Sequence, residues 1–151
     1  MEISIVAVGR LRPGPEQELI KTYLGRMSWQ VNIIEVEERR PIKGLERMRA
    51  EAELITKALP PGALIVALDE RGQMLDSVSF AEKLGQWQDL GQHKIAFIIG
   101  GADGLADELR KRADLILCFG RMTWPHMLVR ALLAEQIYRA TCILNNHPYH
   151  K

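Results

Sequence analysis

Apolar runs alternate with amphipathic stretches along the whole chain. Residues 3–8, "ISIVAV", are β-branched and stopped by Gly9, which predicts a buried strand. A helix is expected from Pro15 to Met27, with Pro15 and Glu16 suited to its first turn. "VNIIEV" (31–36) predicts a second strand and "RRPIKG" (39–44) a basic loop. Residues 45–59 suit a surface helix that "PPG" (60–62) stops. "ALIVAL" (63–68) predicts the third strand, with "DERGQ" (69–73) as the turn after it. A helix over 79–87 would open with the capping box Ser79-x-x-Glu82. "KIAFII" (94–99) predicts a fourth strand closed by "GGADG" (100–104), and a short helix over 105–112 leads to "LILCF" (115–119). A long helix is expected from Pro125 to Thr141, followed by the tail "NNHPYHK".

Strands alternating with helices imply an α/β fold with a mainly parallel sheet, and continuously apolar strands imply helices on both faces. No repeat, linker or low-complexity segment interrupts the pattern, so a single domain over residues 1–151 is expected. The last helix is apolar nearly all round, with Arg130, Glu135, Gln136 and Arg139 as its polar positions. Such a helix must be buried on more than one side, so a second subunit is expected to cover part of it.

Composition adds limits. With 47% hydrophobic and 26% charged residues and a net charge of +1, no global field recruits nucleic acid or membrane. No apolar stretch approaches the ~18–20 residues of a membrane span. "MEISIVAVGR" lacks the basic start of a signal peptide, so a cytoplasmic location is expected. Cys118 and Cys142 lie in apolar runs without metal-ligand spacing, as free buried thiols would. No metal site is expected: His147 and His150 lack a suitably spaced third ligand.

Ligands of an open parallel sheet bind beyond the carboxyl ends of its strands. Three loops fall there, after Leu68, Ile99 and Phe119, and two carry glycine at the strand exit. Glycine admits close approach of a ligand to the backbone, or it only makes a tight turn. Neither G-x-G-x-x-G nor a P-loop is present, and no G-x-S-x-G elbow supports a hydrolase.

"VAVGR", "ALDERGQ", "FIIGGADGL", "RMTWPHMLVRALLAEQIYRA" and "NHPYHK", in this order and at these spacings, resemble the RlmH family. These are SPOUT-class methyltransferases that modify a pseudouridine of large-subunit ribosomal RNA at N3. The similarity spans essentially the whole chain, and residues 38–60 carry little of it.

The resemblance implies a C-terminal trefoil knot whose loops hold S-adenosylmethionine, a homodimer formed through the knot helix, and the assembled ribosome as substrate. Carried over by position, cofactor contacts involve Leu68, Gly100, Gly101, Leu117, Cys118, Phe119, Gly120, Arg121 and Met122. Alignment of nucleophile, methyl and sulfur is then the main task, and a base for the N3 proton is useful. His126, Tyr149 and His150 are the local candidates; His126, at a helix start, is disfavoured as an imidazolium, or serves only in capping and packing.

The tail is expected to be ordered and to fold over the cofactor loops of its own or the partner subunit, with Tyr149 stacking on the base. Arg10, Arg12, Arg39, Arg40 and Lys43, with Arg121 and Lys151, are either an RNA-binding rim or scattered solvated charges. A non-catalytic dimeric module binding a nucleotide or a ribosomal surface is the alternative function.

Overall fold

The computed structural model describes residues 1–150, so Lys151 lies outside the described residues. Five strands form one parallel sheet: β1 (Glu2–Val8), β2 (Gln30–Val36), β3 (Leu64–Gln73), β4 (Lys94–Ile99) and β5 (Leu115–Leu117), in the order β2-β1-β4-β3-β5. The helices are α1 (Pro15–Arg26), α2 (Gly44–Ala58), α3 (Ser77–Asp89), α4 (Asp107–Arg112) and α5 (His126–Leu144), and a 3-10 turn, Pro148–His150, ends the chain. The α/β class and the parallel sheet expected from the hydrophobic pattern are present.

Strand side chains alternate between faces, and the two sets bury against different helices. Ile3, Ile5, Phe97, Ile99 and Leu117 pack on α3 and α5. Val6, Ile65, Ala67 and Ile98 pack on Ala52 and Ile55 of α2 and Leu109 of α4. Helix α1 joins the first layer by closing on Ala131 and Ala134 of α5 through Ile20.

Helix α5 therefore runs between α1 and α3 over the sheet, and nine of its residues are buried by their own chain. The all-round apolar surface that suggests a second subunit finds much of its cover internally, so the composition of α5 does not by itself demand a partner.

Several boundaries differ from the sequence pattern for local reasons. "DERGQ" is not a turn but the end of β3: Leu117 pairs with both Leu68 and Gln73, with an irregularity between them. Gly72 permits it, because a Cβ there would lie 2.6 Å from the carbonyl carbon and oxygen of Ile116. Just past Leu117, the amide of Cys118 donates to the Gln73 carbonyl at 2.9 Å and holds the end of β5 against that of β3. Helix α3 opens two residues early: Asp76 is its N-cap and accepts from the Ser79 amide at 2.7 Å, displacing the Ser79–Glu82 box. Leu105 and Ala106 fill the core ahead of α4 instead of starting it.

The end of α5 sets the course of the tail. Asn146 adopts φ 54, the His147 amide donates to the Cys142 carbonyl at 2.8 Å, and the Asn146 amide donates to that of Ile143 at 3.1 Å. This left-handed stop reverses the chain. Tyr149 then lies back on α5, with ring centroids 4.7 Å from Tyr138.

Candidate active site

Leu68 is register partner to both Ile99 and Leu117, so β4, β3 and β5 release their loops at one level. Above them opens a cleft of about 790 Å³. Its walls are Asp69–Arg71, the loop from Gly100 to Ala106, Asp107, Glu108 and Arg110 of α4, the segments Cys118–Gly120 and Met122–Pro125, and His126 and Val129 of α5, with Leu45, Met48 and Arg49 of α2 on the remaining side.

Glycine is needed here by contact. A Cβ on Gly100 would lie 2.7 Å from the carbonyl carbon of Gly104, where the loop doubles back through a Gly101–Gly104 bridge. One on Gly101 would meet Val8 at 3.0 Å and both oxygens of Glu51 at 3.2 Å. Gly120 has φ +132, open to glycine and strained for other residues, and the Cys118 thiol donates to its carbonyl at 3.0 Å.

Half of the acidic and basic residues lining the cleft are in ion pairs. Arg47 holds Asp103 at 2.7 Å and approaches Glu51 at 3.9 Å, and Arg110 reaches Asp69 at 3.5 Å and also Asp107. Glu51 is 6% exposed, one of its oxygens has no partner, and burial raises its pKa above the ordinary value. His126 is half-buried at the start of α5. Burial first, and the positive charge of Arg130 second, lower its pKa below 6.5, which keeps the imidazole neutral near pH 7.

Eight of the nine expected cofactor positions line the cleft, as does His126; Arg121 does not. Tyr149 and His150 are elsewhere. Tyr149 donates to Glu135 Oε1 at 3.0 Å beneath Arg139, whose guanidinium carbon is 4.9 Å from its ring centre. Burial, then bonds with Tyr23 and Glu135, raise its hydroxyl pKa, so it stays protonated. Tyr138, its stacking partner, is about 18 Å along the helix from His126 at 1.5 Å per residue. The tail is ordered through His150, but it does not fold over the cleft of its own chain.

The basic candidates gather only partly. Arg10 and Arg39 share Glu37 at 3.6 and 3.7 Å, and Arg40 pairs with Glu38 at 2.9 Å, so acidic neighbours offset much of this rim. Lys43 is the N-cap residue of α2, Arg12 is exposed in the loop after β1, and Lys151 is outside the described residues. No three His, Cys, Asp or Glu side chains converge on a metal-sized site among the described residues. Nor is any helix among them long and apolar enough to cross a membrane.

Two buried charges escape sequence reasoning. Arg130, taken as a polar position of α5, is 0% exposed and donates to the carbonyls of Val8 (2.7 Å) and Gly9 (2.8 Å) and to Glu35 (3.0 Å). An arginine inside an apolar helix is the available signal, since buried charge must be paired. Glu51, between Ala50 and Ala52 and four residues after Arg47, carries a weaker one.

Comparison with known proteins agrees with this geometry. A family model described as "Predicted SPOUT methyltransferase" matches residues 1–150. Among curated proteins, the ribosomal RNA large subunit methyltransferase H of Rhodospirillum centenum is 59% identical over 151 residues, covering 100% of this chain and 99% of the relative. Among solved structures, a probable methyltransferase from Bordetella pertussis Tohama I shares the fold at TM-score 0.61 and 15% identity, over 92% of this chain and 95% of the other. The SpoU methyltransferase AviRb from Streptomyces viridochromogenes, solved in complex with the cofactor AdoMet, shares it at TM-score 0.50 and 12% identity, over 93% and 58%. A cleft at the exits of three parallel strands, met by a family match along nearly the whole length, places this chain in the SPOUT methyltransferase family.

Proposed function

We propose that the protein transfers the methyl group of S-adenosylmethionine to N3 of a pseudouridine in large-subunit ribosomal RNA, in the assembled ribosome and hence in the cytoplasm. The observation that carries this is the cleft itself: glycine-built loops on one level of the sheet, with a neutral histidine in the wall.

The residues present fit such a donor. Leu68, Leu117 and Phe119 offer apolar walls for an adenosine, the loop that opens with Gly100 and Gly101 offers backbone donors and acceptors, and Glu70 suits its positive charge. The bound donor supplies an already activated methyl group. The acceptor N3 loses its proton, the N3–carbon bond forms as the carbon–sulfur bond breaks, and the sulfur keeps the electron pair of the broken bond. His126, uncharged, is the base that takes the proton. The trefoil knot belongs to the same proposal, and membership of the SPOUT family supports it.

Because Tyr149 and His150 lie on α5 and away from their own cleft, the tail serves the site of a second subunit in a homodimer. Arg10, Arg12, Arg39, Arg40 and Lys43 meet RNA only weakly, with shape fit to the ribosome replacing strong phosphate attraction. A neutral histidine facing the ligand cleft favours catalysis over a purely binding module.

The test is methyl transfer to ribosomes lacking the modification, with the nucleoside product identified by mass spectrometry. Methylated pseudouridine from the large subunit is expected. Product in another nucleoside, or none while S-adenosylmethionine still raises the melting midpoint, would overturn the assignment of substrate.

A further inference from the structure

We propose that Trp124 is the platform on which the target base stacks, its indole forming the substrate-side wall of the cleft; this rests on the RNA methyl-transfer function above. The indole is held on one side and open on the other. A Cβ on Gly120 would lie 4.0 Å from Trp124 Nε1, so the ring stands against the loop that carries the expected cofactor contacts. Pro125 follows, and the residue before a proline is restricted to extended backbone, which limits where the ring can swing. Trp124 nevertheless remains 42% exposed, beside Met122 at 76%, and both line the cleft.

No other aromatic combines these properties. Trp29 and Trp87 pack against the main core, and Phe119 is packed against it at the cleft floor. Tyr149, to which the sequence assigns the stacking role, is engaged by Tyr138, Arg139 and Glu135.

The chemistry identifies a nucleobase as the occupant. N3 is an edge atom whose in-plane lone pair attacks the methyl carbon, so both faces of the ring stay free during the reaction. A wall that grips one face can orient the base without obstructing the methyl group. It also replaces the stacking that the base loses when it leaves its neighbours in the RNA. The near-neutral chain makes such a contact more valuable, because the arginine rim is largely spent on Glu37 and Glu38.

The experiment compares the full-length protein with W124A and W124F, using ribosomes that lack the methyl group and S-adenosylhomocysteine as the cofactor-site probe. For W124A, KM for ribosomes should rise roughly 10- to 100-fold, the range expected for loss of one base-aromatic stack. Its affinity for S-adenosylhomocysteine should stay within about twofold of wild type, and W124F should recover most of the loss because it keeps a π face.

Unchanged KM in W124A, with wild-type enzyme active, would overturn the platform alone. So would lost affinity for S-adenosylhomocysteine with unchanged KM, since Trp124 would then belong to the cofactor wall. Equal impairment of W124A and W124F together with an altered mass by light scattering would make it an interface residue and overturn the platform too. A wild-type protein that binds S-adenosylhomocysteine yet methylates no ribosomal RNA would instead remove the function on which the platform rests.

Discussion

Arg130 shows how one side chain joins distant parts of the chain. Its three bonds tie α5 to the exit of β1 and to Glu35 of β2, and Glu35 in turn accepts from the Leu11 amide at 2.9 Å. The same charge, second to burial, helps keep His126 neutral. If neutral His126 is the base, activity is retained above its lowered pKa and lost as pH falls through it. The acid limb of kcat against pH should therefore lie below 6.5. His126→Gln should lower kcat by roughly 10²-fold or more and flatten that limb, as loss of a general base does. Glu51 has the opposite sign. Its folded-state pKa is raised above 4.5, so the favourable contribution is full below 4.5 and is lost as pH rises through the folded value. Glu51→Gln should then raise Tm at pH 8 by about 2–4 °C, the shift that ~1 kcal/mol produces in a domain of this size. The gain should vanish toward pH 4, and melting curves across that range check it.

At the scale of elements, β3 and β5 decide the geometry of the cleft. The run after Leu68 is polar and contains glycine, and by composition it suggests a turn. Pairing with β5 overrides that preference because backbone hydrogen bonds at Gln73 are available once Gly72 permits close approach. Gly72→Ala should cost about 1–3 kcal/mol, the usual penalty for overpacking, and should weaken binding of S-adenosylhomocysteine by distorting Leu117 and Cys118. Gly25 in α1 is the control. A Cβ there meets nothing within 4 Å, so Gly25→Ala should stabilise by about 0.5–1 kcal/mol through helix propensity and leave binding unchanged. Thermal melts and calorimetric titration separate the two outcomes.

At the scale of the molecule, the tail and the cleft sit in different regions of one chain. The homodimer proposed above, in which one chain's tail serves the other's cleft, predicts a mass about twice 17.1 kDa by light scattering. It also predicts complementation. A protein lacking residues 147–151 and a full-length Gly100→Arg protein, each inactive alone, should regain up to about a quarter to a half of wild-type methyl transfer when co-expressed. That recovery requires one intact cleft to be served by the other chain's tail. Mixed dimers without activity would show that each tail works within its own subunit.

Much of this protein is determined by its sequence alone. Strand and helix types, the parallel sheet and eight of the nine expected cleft positions follow from apolar periodicity, glycine placement and family motifs. These signals are local or ordered along the chain, which is why they survive without coordinates. Tertiary structure alone decided the rest. The extension of β3 depends on a neighbouring backbone, the burial of Arg130 and Glu51 on partners far away in sequence, and the cover over α5 on two helices of the same chain. The position of Tyr149 depends on a left-handed Asn146 and a pocket among Tyr138, Arg139 and Glu135. Each results from competition among contacts between distant residues, and periodicity carries no information about which contact wins.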